Sequence, residues 1–64
     1  MRSIEKLIID LLEDIYPEQI SMEELASITG YSKTYLSKKI LEMKDKRWVE
    51  IAKTGEEIYI KFSP

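Results

Sequence analysis

Cysteine and histidine are both absent from this 64-residue chain. Disulfide stapling is excluded, and so is any metal site built on the usual thiolate and imidazole ligands. The same absence removes the commonest general base and the commonest thiol nucleophile. Glycine and proline occur twice each, so there is no glycine-rich phosphate loop. Acidic pairs such as Glu13/Asp14 and Glu23/Glu24 are neighbours in sequence, and adjacent helical positions do not face each other. A chain this short also lacks room for an enclosed pocket of enzyme size. The reading is a non-enzyme with no cofactor. Apolar runs reach only two or three residues, far short of a membrane span. The opening MRSIEK leads straight into an acidic amphipathic pattern with no secretory core, and the closing FSP fits a natural stop soon after the last strand. The lack of cysteine is compatible with a reducing compartment, so the expectation is a cytoplasmic protein.

What is present fits one small soluble domain spanning 1–64: 44% hydrophobic and 34% charged residues. Such a domain is marginal, because a chain of this size buries only about 60% of its unfolded surface. The formal net charge of −2 hides a separation along the chain. Residues 1–30 carry −5, residues 31–47 carry +4 and residues 48–64 carry −1. The basic block is Lys33, Lys38, Lys39, Lys44, Lys46 and Arg47. Such asymmetry points toward nucleic acid, although a lysine-rich solvated helix face looks the same.

Helix signals recur along the chain. Ser3 can cap a helix over 3–16, in which Ile4, Leu7, Ile8, Leu11 and Ile15 mark a buried face. Ile9, Leu12 and Tyr16 widen the apolar arc beyond what a small domain is expected to cover. Pro17 ends the helix, and Ile20 can add a very short strand. Ser21 and Glu24 form a capping box for a helix over 22–29, with Ile20 and Leu25 placed as a hydrophobic staple. Gly30 reads as a left-handed C-terminal cap and Ser32 as the next N-cap. A helix over 33–46 follows, with Leu36, Ile40 and Met43 inward and Thr34, Lys38, Leu41 and Asp45 outward. Two short helices joined by a glycine-bearing turn are the layout of a helix-turn-helix.

From Trp48 the period changes to two. Val49 and Ile51 alternate with Trp48, Glu50 and Ala52, and Ile58, Ile60 and Phe62 alternate with Tyr59 and Lys61. This predicts strands over 48–53 and 57–62 in a hairpin with one buried face. Pairing Ile51 with Ile58 and Val49 with Ile60 keeps all four on that face and closes the loop around Thr54–Gly55. The fold class is α+β and mostly helical: a three-helix helix-turn-helix core with a C-terminal β-hairpin wing.

The order of elements resembles a winged-helix domain over nearly the whole chain. The segment TYLSKKILEMKDKRWVEI resembles the recognition helix and first wing strand of archaeal and bacterial regulators of the MarR and ArsR type. Leu36, Ser37, Ile40, Met43, Trp48 and Val49 stand at the places of their T-V-S-x-x-L-x-x-L-x-x-x-G-L-V/I-like pattern. GYSKTYLS is also similar to segments of AraC-type regulators, but no second helix-turn-helix unit follows. The resemblance implies transcription regulation by duplex DNA binding, often as a dimer, with the 33–46 helix in the major groove and the hairpin as a wing. Three departures stand out. Arg47 occupies the place of a glycine, Leu41 projects outward, and the wing tip Thr54-Gly55-Glu56-Glu57 carries two glutamates that repel phosphates.

Lys33, Thr34, Tyr35, Ser37 and Lys38 are the groove-reading candidates, since hydroxyls, lysine and tyrosine reach base edges or phosphates. Lys39, Arg47 and Lys53 are candidate phosphate contacts or plain surface, as are Lys44 and Lys46. Ile9, Leu12 and Tyr16 are the candidate seam of a homodimer. The competing reading is a protein-interaction winged helix, an adaptor or a piece of a larger assembly factor. Its motives are the acidic N-terminal half, the acidic wing tip and the outward Leu41.

Overall fold

Three serines start three helices. A computed structural model describes residues 3–64, so the first two residues of the expected 1–64 domain lie outside the described ones. Helix α1 (Ile4–Ile15) begins where Ser3 Oγ accepts the Lys6 backbone N–H at 3.1 Å. Helix α2 (Met22–Thr29) begins where Ser21 Oγ accepts that of Glu24 at 3.0 Å. Helix α3 (Lys33–Asp45) begins where Ser32 Oγ accepts that of Tyr35 at 3.1 Å. Each cap satisfies a donor that the helix itself leaves open and contributes about 1 kcal/mol. Gly30 closes α2 at φ +80°, donating to the Ala26 carbonyl at 2.9 Å.

Helix α3 ends without a glycine. The Trp48 N–H donates to the Met43 carbonyl at 3.0 Å and the Arg47 N–H to that of Lys44 at 2.9 Å. This paired closure is a Schellman motif, and it forces Arg47 to φ +64°. The turn thus keeps the conformation that glycine would give it, at a strain on the order of 1 kcal/mol.

Strand β1 is only Ile20–Ser21; β2 is Val49–Thr54 and β3 Glu57–Phe62. They form one antiparallel sheet in the order β1-β3-β2, so the wing hairpin gains a third, short strand. The register differs from the expected one by two residues: Ile51 opposes Ile60, Val49 opposes Phe62 and Lys53 opposes Ile58. A shift of two keeps every side chain on its face, so the buried stripe survives unchanged. The turn decides the matter. Thr54 pairs with Glu57, leaving Gly55–Glu56 as a two-residue loop with Gly55 at φ +62°. Among the described residues Arg47 is the one non-glycine with positive φ, so the loop has glycine first and a negative-φ residue second, as a type II′ turn does.

Every element contributes to one core: Ile8 and Leu12 from α1, Ile20 from β1, Met22 and Leu25 from α2, Leu36, Ile40 and Met43 from α3, and Val49 and Ile60 from the hairpin. No polar or charged residue is buried among the described residues. Full burial of each aliphatic contributes roughly 1.5–3 kcal/mol. The phase of α1 corrects one expectation. Leu12 is fully buried while Leu7 is 36% exposed, because the inward stripe runs through Ile8 and Leu12 against β3. Leu12 therefore cannot belong to a dimer seam. Ile9 is half-buried at the core's edge, and Tyr16 is exposed, with its ring edge-on to Phe62 at 5.8 Å. Three helices, with β1 between the first two, and a hairpin after the third make a winged helix.

Candidate nucleic-acid interface

Helix α3 is anchored from behind by Leu36, Ile40 and Met43, all buried. At about 100° per residue this turns Thr34, Lys38, Leu41 and Asp45 to the opposite side, and all four are exposed. No other part of the described chain covers that face. Thr34, Ser37, Lys38 and Leu41 have the spacing i, i+3, i+4, i+7, which makes one continuous stripe. The helix is 13 residues long, so its cations from Lys33 to Lys44 are spread over roughly 17 Å, and the exposed Arg47 lies just past its end.

The two flanks of the stripe differ. On one side Lys33, exposed, and Ser37, half-buried, look toward the start of α2 and the wing tip. There they line a cavity of about 150 Å³ together with Glu23, Glu56 and Glu57. On the other side Tyr35 is 38% exposed and its ring lies on that of Tyr31, centroids 5.1 Å apart.

Lys39 stands apart from the other candidates. Its Nζ lies 3.7 Å from the carboxylates of Glu5 in α1 and Glu42 in its own helix, and 5.9 Å from the Tyr35 ring centroid. The Glu5 carboxylate, then that of Glu42, raises its pKa above the ordinary 10.5. Lys39 ties α3 to α1 and is turned away from the stripe. Lys46 is also engaged, over the Trp48 ring at 4.7 Å. Lys53 is exposed near the wing tip, opposite Ile58. The structure thus brings Lys33, Thr34, Ser37 and Lys38 together, sets Tyr35 beside them, and leaves Arg47 and Lys53 at separate ends.

Some neighbours of the stripe escape the sequence pattern. Ile51 and Ile58 stand across from Leu41 and line an apolar cleft with it, and Glu23 joins the wing-tip glutamates. The period-two pattern puts Ile51 and Ile58 on the inner face of the hairpin. It does not show that their position near the wing tip leaves them half-covered. Among the described residues no helix is long and apolar enough to cross a membrane.

No protein-family model matches this sequence, and no curated protein matches it. Among solved structures, the chain is similar to reduced HlyU from Vibrio cholerae, with a TM-score of 0.84 at 21% identity over 98% of this chain and 63% of that one. The chain spans less than two thirds of the HlyU chain's length. That protein was solved in its reduced form, and the present sequence contains no cysteine. At this identity the likeness bears on backbone architecture, and it establishes that residues 3–64 form a winged helix.

Proposed function

We propose that this chain is a duplex-DNA-binding module of a transcription regulator of the MarR/ArsR type, with α3 as its recognition helix. The observation that carries the reading is the uncovered stripe of Thr34, Ser37 and Lys38 on a helix fixed from behind by three buried aliphatics. A rigid helix with an exposed polar and cationic face fits the major groove. Thr34 and Ser37 supply hydroxyls for base edges, with Tyr35 at the margin of the same surface. Lys33 and Lys38 supply charge for bases or phosphates, and Arg47 and Lys53 for flanking phosphates. Glu56 and Glu57 repel phosphates, so the wing tip contributes little and α3 carries the contact. A protein with this role works on the chromosome, in the cytoplasm.

Selection of random duplex DNA at two salt concentrations tests this. The expected result is an enriched site at the higher salt and an affinity that falls steeply as salt rises. Recovery of unenriched sequences, or no retained duplex at the lower salt, overturns the reading.

A further inference from the structure

Leu41 is 57% exposed on the outward side of α3, and a lone exposed leucine needs no explanation. This one is not alone. Across from it stand Ile51 of β2 and Ile58 of β3, with Met22 and Ile40 beneath, around a cleft of about 130 Å³. That volume takes an apolar group of roughly benzene size. The cleft runs into the second cavity, with which it shares Met22, Ser37 and Ile58. The rim of that second cavity carries Glu23, Glu56 and Glu57 against a single cation, Lys33.

We propose that the cleft between α3 and the wing is a docking site for a peptide segment of a partner protein, one that presents a bulky aliphatic side chain flanked by lysine or arginine. The apolar floor selects the aliphatic group, whose burial excludes water from Leu41, Ile51 and Ile58. The three glutamates select the cations and disfavour both phosphates and acidic peptides. An apolar centre with a charged rim is the usual anatomy of a protein-recognition surface. Ser37 and Leu41 belong both to this cleft and to the stripe proposed to face DNA. The two occupants therefore exclude each other, and the peptide acts as an antagonist of DNA binding.

The test is a random-peptide display selection on the full 64-residue chain, followed by synthesis of the enriched peptides. Expected are sequences combining Leu, Ile or Met with Lys or Arg, amide chemical-shift changes at Ser37, Leu41, Ile51 and Ile58, and displacement of bound duplex DNA. Leu41→Ser lowers peptide affinity by about tenfold, and the pair Glu56→Lys with Glu57→Lys removes most of its salt dependence. All three substitutions fall on exposed side chains, so the thermal transition stays near that of the unchanged protein. The proposal is overturned by an absence of enrichment, by an acidic consensus, by shifts confined to the exposed Ile28, Tyr31 and Tyr35, or by affinity indifferent to Leu41→Ser and to the glutamate reversals. Peptide and DNA bound together refute the exclusion. A chain that takes the peptide but no duplex removes the DNA reading and leaves this one standing.

Discussion

The backbone N–H of Trp48 reaches back to the carbonyl of Met43 at 3.0 Å, and this single bond sets how the wing leaves α3. It requires the residue between helix and strand to be left-handed, and that residue is Arg47 at φ +64°. Replacing Arg47 by glycine relieves the strain while keeping the turn. The expected gain is about 1 kcal/mol, less what glycine adds to the entropy of the unfolded chain. Arg47→Val moves the other way and by more. Urea midpoints of the two variants check this, and a lowered midpoint for the glycine variant contradicts it.

Gly55 meets nothing within 4 Å of where a Cβ would stand, so only its backbone matters. Gly55→Ala at φ +62° costs about 1–2 kcal/mol, whereas Gly55→Asn, which tolerates this region, costs less. Thermal unfolding of the pair separates conformational strain from steric clash. Equal losses for both argue against the turn as described.

Leu12 lies wholly inside the core. Leu12→Ala is expected to cost about 2–5 kcal/mol, enough to unfold much of a domain this small. Ile9→Lys, at the core's edge, is expected to leave the chain folded by circular dichroism. If the alanine variant remains near native stability and changes only the sedimentation coefficient, Leu12 is at an interface after all.

Lys39 is held above its ordinary pKa first by Glu5 and then by Glu42. A raised folded-state value means that the stabilisation is fully present below about pH 10.5 and is lost as pH climbs through the raised value. Between about pH 6 and about pH 9 it is therefore constant. The stability gap between the natural chain and Lys39→Met is expected to hold across that range and to narrow in strong alkali. A gap that closes on acidification from about pH 9 to about pH 6 assigns it to another group.

Much of the fold is written in local chemistry. Ser3, Ser21 and Ser32 each precede an apolar-periodic segment and each caps a helix. Gly30 stops α2 where its conformational freedom is needed. The hairpin register was less legible, because opposing Ile51 to Ile58 or to Ile60 buries the same face. Only the choice between Thr54–Gly55 and Gly55–Glu56 as the loop distinguishes them, and Gly55 serves either. The phase of α1 was ambiguous because apolar residues surround most of that helix. What selects Leu12 over Leu7 is the position of β3, a contact distant in sequence. The same holds at the interface. Lys38 and Lys39 are equivalent as letters, and Glu5, arriving from α1, separates them. Glu23 reaches the wing-tip glutamates only once α2 is packed.

That separation gives the most direct test. On a selected duplex, the slope of the logarithm of the association constant against the logarithm of salt concentration is measured for the natural chain, Lys38→Ala and Lys39→Ala. With Lys38 facing the polyanion and Lys39 paired to Glu5, the slope falls by about 0.9 for Lys38→Ala and stays unchanged for Lys39→Ala. An unchanged slope for Lys38→Ala, or an equal fall for both, contradicts the assignment of the exposed face of α3 as the DNA interface.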